Sequence, residues 1–189
     1  NIFAQDFTAN ESGGFCSVGI HPWHLNEIDI EAGISNISKA TAAKNVLIIG
    51  ECGLDKKTNT DFAIQKNAFL RQIEFAEKSH KPLIIHCVKA HNELIALKKS
   101  VKSDIPWIIH GFNGNVQTLN GLLQHNFYFS VGERLLKNNP KQELLRLIPA
   151  DRLFLETDDQ DISIQKIYFF AAQILGVTEK ELQEQIIRN

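Results

Sequence analysis

No methionine occurs among the 189 residues, and the chain opens on Asn1, so further residues are expected to precede it. No apolar stretch approaches the roughly 18 residues that a membrane span needs. The opening residues also lack the charged, apolar and small-residue order of a secretory signal. A cytoplasmic protein with no membrane contact is therefore expected. Cysteine is scarce: three residues, an odd number in a mid-sized chain, argue against a disulfide framework and for reduced thiols. Positive charge is not in surplus either. With a net charge of -2 and a pI near 6.4, no overall field favours a polyanion, so any contact with nucleic acid must be local. Low-complexity segments and internal repeats are absent. What the chain has in quantity is apolar residues, 43% of the total, enough for a large core. Its length predicts a single domain over residues 1–189.

Four apolar runs each stop on a side chain able to bind metal: Leu47-Ile48-Ile49-Gly50-Glu51, Leu83-Ile84-Ile85-His86, Trp107-Ile108-Ile109-His110 and Leu153-Phe154-Leu155-Glu156-Thr157-Asp158. Short β-branched runs read as buried strands, so these carboxylates and imidazoles are expected to emerge together at one sheet edge. The intervals agree: 35 residues separate Glu51 from His86, 24 separate His86 from His110, and 48 separate His110 from Asp158. A strand-helix-strand crossover takes about 30 residues, so the first two intervals hold one unit each and the last holds two. The strand in between is Phe127-Tyr128-Phe129-Ser130-Val131-Gly132, which offers no obvious ligand.

Earlier in the chain, Asn1-Ile2-Phe3-Ala4 predicts the tail of a strand, followed by a polar loop through Gly14. Phe15 to Ile20 predicts a second strand, stopped at His21-Pro22-Trp23-His24 because proline cannot continue a ladder. Helices are expected within residues 27 to 43, then along Phe62, Phe69, Ile73 and Ala76, which share one face. Others should open near His91, near Val116 and after Pro140. The stripe Ile164, Ile167, Tyr168, Ala171, Leu175 stops at Gly176. Thr178 and Glu181 then make a capping-box pattern for a last helix.

Seven strands alternating with helices predict an α/β fold, either an open sheet or a closed barrel. Ligands contributed along the whole chain favour the TIM-type (β/α) barrel, because only a closed ring brings first and last strands to one centre. Such barrels have eight strands and typically about 250 residues. The chain therefore reads as one βα unit short, with the first unit missing before Asn1.

The stretches Gly19-Ile20-His21-Pro22, Gly50-Glu51-Cys52-Gly53-Leu54-Asp55, Pro82-Leu83-Ile84-Ile85-His86, His110-Gly111-Phe112-Asn113-Gly114 and Leu155-Glu156-Thr157-Asp158 occur in one order across the chain. In that order they resemble the TatD-like metal-dependent hydrolases, a branch of the amidohydrolase-type barrels. The resemblance implies a hydrolase with one to three divalent ions (Mg, Mn or Zn), often a DNase. By motif position, Glu51 would bridge the ions, His86 and His110 would hold one, and Asp158 would bind the other. It also makes Glu51 a catalytic candidate, and Lys89 and Asn113 candidates for substrate contact. Lys89 stands where the family often has Arg. In the family the remaining ligands come from an Asp-x-His-x-His motif on the first strand. Residues 1 to 20 contain no match to it, in keeping with the missing unit.

A divalent ion supplies phosphodiester hydrolysis with a nucleophile at neutral pH and with charge neutralisation. Asp158 is then the candidate general base as well as a ligand. His21, in its Ile-His-Pro-Trp-His turn, is a candidate for contact with substrate or metal, and Trp23 for packing over the barrel mouth. Cys52 and Cys87 each follow a proposed ligand directly, so strand alternation turns them to the opposite face as small buried hydrophobes. The expected substrate is DNA. A small amide, ester or phosphoester on the same centre is the first alternative, and a non-catalytic barrel relic lacking the first-strand His ligands is the second.

Overall fold

The computed structural model describes residues 2–3 and 14–189. Most of the expected polar loop, residues 4 to 13, lies outside the described residues. The chain divides into two compact units, Asn1–Ile108 and Ile109–Asn189.

The first unit contains strands β1 (Ile2–Phe3), β2 (Cys16–Gly19), β3 (Val46–Asp55) and β4 (Leu83–Val88), all pairing in parallel in that order. Helices α1 (Ile30–Ala40), α2 (Phe62–Ser79) and α3 (His91–Val101) alternate with them. Two of these helices start on a capping aspartate. Asp29 caps α1 by accepting from the Ala32 N–H, and Asp61 caps α2 by accepting from Ala63 and Ile64. Gly33 fits α1 because a Cβ there would lie 2.6 Å from Cδ1 of Ile20. Of the expected stripe on α2, Phe69, Ile73 and Ala76 are buried while Phe62, at the first turn, is half-buried; Val18, Ile49, Leu54, Leu83 and Ile85 are also buried in this unit.

Two buried glutamines on α2 finish the strand ends. Gln72 accepts from the Ile20 N–H (2.8 Å) and donates to the Ile20 carbonyl (3.1 Å). Gln65 does the same for Asp55, at 2.8 and 3.0 Å. Both amides stand in for a missing ladder neighbour where the backbone would otherwise be buried without partners.

β5 (Trp107–Ile109) lies where the chain passes from one unit to the next. The second unit holds α4 (Val116–Leu123), β6 (Phe127–Val131), α5 (Glu133–Leu136), α6 (Asn139–Leu147), β7 (Leu153–Leu155), α7 (Ile164–Leu175) and α8 (Glu179–Arg188). β6 and β7 pair in parallel. The four-residue α5 is not foreseen, being too short to carry a periodic pattern. α7 stops on left-handed Gly176, and α8 opens with the full Thr178–Glu181 capping box, as expected for both. The fold is α/β, with parallel strands and intervening helices. Among the described residues, no helix is long and apolar enough to cross a membrane.

Candidate metal centre

β3 runs four residues past Glu51, so this carboxylate lies inside a strand and not at its end. His86 likewise precedes the last two residues of β4. The register explains how they reach one place. Ile49 pairs with Leu83 but Cys52 with Ile85, so β3 carries one extra residue around Gly50 and Glu51. Such a bulge re-aims a side chain. Beyond it Gly53 is the partner of His86. Residues two apart on a strand share a face, so Glu51 and Asp55 flank His86 from either side of Gly53. A Cβ at Gly53 would come 2.1 Å from the His86 carbonyl oxygen.

His86 accordingly meets both carboxylates. Its Nδ1 is 3.1 Å from Oε1 of Glu51 and its Nε2 is 3.0 Å from Oδ2 of Asp55. His21 arrives from the other side of β3, just past β2, with Nε2 3.2 Å from the same Glu51 oxygen. The Trp23 N–H donates to Nδ1 of His21 (3.2 Å), so the ring proton of neutral His21 is on Nε2 and points at Glu51. Burial pulls the His21 pKa below its ordinary value, against the hydrogen bond to Glu51 and together with the neighbouring His86. His21, Glu51 and His86 each present a donor atom within 4.8 Å of the others, a set of the kind that holds a metal ion.

Burial would raise the Asp55 pKa. Hydrogen bonds from Trp23, His86 and the Lys57 N–H outweigh it and hold the carboxyl below the ordinary range. Trp23 donates Nε1–H to Oδ2 at 2.8 Å, although the residue is 56% exposed. The indole is therefore tethered at one edge and open elsewhere. Cys52 is fully buried, and burial raises its pKa well above the usual thiol value, with Glu51 adding to it. Burial likewise pushes Cys87 up to about 12. Cys52 is a small buried group, as strand alternation predicts, while Cys87 is half-buried.

The second unit has a group of its own, His110, Glu156 and Asp158, whose donor atoms also lie within 4.8 Å of one another. His110 follows β5, and its Nδ1 is 3.6 Å from Oε1 of Glu156. Glu156 follows β7 and accepts from the Gly111 N–H at 2.7 Å. Asp158 is exposed and sits in a left-handed conformation. Of the expected site residues, His21, Glu51 and His86 meet in the first unit, and His110 and Asp158 in the second. Lys89 and Asn113 belong to neither group. Lys89 is an exposed left-handed residue between β4 and α3, while exposed Asn113 accepts from Lys141 at 2.7 Å.

Two members were not foreseen. Glu156 lies two residues before Asp158, just past the end of β7, where strand alternation gives no signal. Asp55 is four residues after Glu51 on the same strand, and the two-residue strand period would have found it.

The profile of the TatD related DNases matches residues 5–189. The chain belongs to this family. Among TatD relatives, the 3'-5' ssDNA/RNA exonuclease TatD of a Rahnella species is 35% identical over 165 residues, covering 79% of this chain and 59% of its own length. The metal-dependent hydrolase YabD of Bacillus subtilis is 33% identical over 151 residues, covering 76% of this chain and 58% of its own. The chain thus spans about three fifths of the length of these curated relatives. The crystal structure of YjjV, a TatD homologue from Escherichia coli, superposes with a TM-score of 0.82 at 19% identity, covering 92% of this chain and 74% of that one. The fold is that of TatD homologues.

Proposed function

We propose that this chain is a divalent-metal-dependent hydrolase that cleaves phosphodiester bonds of DNA. The observation that carries the reading is the pair of imidazole–carboxylate groups, one in each unit, each with donor atoms close enough to share an ion. Mixed nitrogen and oxygen donors suit Zn²⁺, Mn²⁺ or Mg²⁺, and the residues fit such an ion. Glu51 and His86 would hold one, and His110, Glu156 and Asp158 another. When bound, a divalent ion supplies a water nucleophile at neutral pH and offsets charge developing on the phosphate.

The chain's own residues do the remaining work. His21 donates to Glu51 and fixes the carboxylate's orientation. The Gly111 N–H does the same for Glu156. Asp158, the exposed member of its group, accepts the proton of the attacking water as general base. Lys89 and Asn113, both exposed after strand ends, contact the substrate backbone. With net charge -2, the chain takes nucleic acid through such local contacts and not through an overall field. The three free cysteines suit a reducing compartment, and we place the chain in the cytoplasm.

The deciding experiment is a panel of single-stranded DNA, RNA, small phosphodiesters, esters and amides, each with Mg²⁺, Mn²⁺ or Zn²⁺. DNA cleavage that a chelator abolishes and added metal restores is the expected result. Turnover confined to small esters or amides would move the substrate class. No turnover with any metal would overturn the enzymatic reading.

A further inference from the structure

Asp55 is 3% exposed and belongs to neither metal-binding group, yet it is one of the most firmly held side chains among the described residues. Gln65 clamps its backbone N–H and carbonyl together, and Gln65 is itself 1% exposed and also donates to the Thr60 carbonyl at 2.8 Å. Its Oδ1 accepts from the Lys57 N–H at 2.7 Å. Its Oδ2 faces two groups, the Trp23 indole at 2.8 Å and Nε2 of His86 at 3.0 Å. An ionised carboxylate only accepts, so the second of these bonds requires a proton on Nε2 of His86. Neutral His86 then carries its lone pair on Nδ1, which is 3.1 Å from Oε1 of Glu51. In that tautomer Nδ1 and the Glu51 oxygen are both acceptors, an arrangement that a shared cation would satisfy.

We propose that Asp55 is the positioning residue of the centre, holding the His86 ring with Nε2 protonated and Nδ1 presented beside Glu51, with Trp23 as its second anchor. The assignment rests on the metal-centre reading for its consequence and on the hydrogen bonds alone for its geometry. The partner on the far nitrogen selects which atom a histidine offers to an ion and raises its basicity. Trp23 serves this end from the short 3-10 helix Pro22–His24 that follows β2. Its ring centroid is 5.4 Å from that of His86 at an interplanar angle of 76°, so the indole both donates to Asp55 and blocks the imidazole from swinging away.

Two measurements on the intact chain test this. The first is the ring tautomer of His86 by ¹⁵N NMR of metal-free protein at about pH 8, above the ordinary histidine range. The proton is expected on Nε2 in the wild type and in Asp55→Asn, whose side-chain oxygen still accepts, and redistributed in Asp55→Ala. The second is titration with Mn²⁺ or Zn²⁺ by calorimetry. Asp55→Ala is expected to weaken the Glu51-dependent ion by about tenfold to a hundredfold, Asp55→Asn by less. Trp23→Phe, which keeps a ring and loses only the N–H, is expected to fall between wild type and Asp55→Ala.

A wild-type His86 protonated on Nδ1 overturns the proposal. So does a folded Asp55→Ala that binds ion as tightly as wild type. If Asp55→Ala does not fold, the wild-type tautomer and the Asp55→Asn and Trp23→Phe affinities decide. A wild type that takes up no ion, with Glu51→Gln no different, sinks the metal-centre reading instead, and the tautomer then judges Asp55 by itself.

Discussion

Asp158 combines two duties in the proposed reaction, and its exposed position after β7 means that its side chain supports little of the core. Asp158→Asn should therefore keep its melting temperature while losing at least about a hundredfold in hydrolysis, the usual scale of a general base. Unchanged turnover in a folded variant would remove Asp158 from the reaction. The thiols give a second check at this scale. Because burial raises the pKa of Cys52 and Cys87, both should resist iodoacetamide in the folded chain at about pH 8 and react after denaturation. Rapid native-state labelling of Cys52 would contradict its burial. The metal ligands named from the sequence were those that terminate apolar runs, since an ionisable group beside a buried strand stands out. Glu156 and Asp55 did not stand out, because each shares a motif with a more conspicuous carboxylate. Their roles are visible only once hydrogen-bond partners are known.

Among the elements, β3 is where sequence reading and structure part most clearly. Its apolar run predicts a stop at Glu51, but the strand continues to Asp55 through a bulge that hydrophobic pattern cannot express. Gly53 permits the close passage of β4. A Gly53→Ala chain, with its added carbon 2.1 Å from the His86 carbonyl oxygen, should lose at least about 2 kcal/mol in denaturant unfolding. A variant as stable as wild type would show that the two strands can part without cost. Helices were legible where caps and stripes coincide, as in α2, α7 and α8, and illegible in α5.

The α8 cap also sets a pH dependence. Hydrogen bonds from the Thr178 N–H and hydroxyl hold the Glu181 carboxyl below the ordinary glutamate range. A depressed carboxylate stabilises the fold above its unfolded pKa, and that contribution fades as pH falls through the folded one. The melting-temperature advantage of wild type over Glu181→Gln should therefore shrink between neutral pH and about pH 3. A gap constant across that range would mean that ionisation of Glu181 is not what the cap uses.

At the scale of the whole molecule, the α/β alternation and the membership of the TatD family were readable from strand spacing and motif order. The spacing survives because a crossover has a nearly fixed length, whatever its surface residues. Surface chemistry is less constrained, so the proposed substrate contacts, Lys89 and Asn113, are exposed groups that no periodicity marks. The net charge of -2 still makes a testable statement. If DNA is held by a few local contacts, the logarithm of its affinity should fall with the logarithm of salt concentration at a slope shallower than about -3. A steeper slope would require a phosphate-binding stripe that the composition gives no reason to expect.

The two amides of α2, Gln65 and Gln72, are seven residues apart and so project from one side of the helix, each bracing a different strand exit. This fixes the tolerance of the segment to evolutionary length change. One residue gained or lost between them would swing one amide about 100° around the axis and strand the backbone it serves. Insertions and deletions among orthologues should therefore avoid residues 65 to 72 and gather in the connections on either side of the helix.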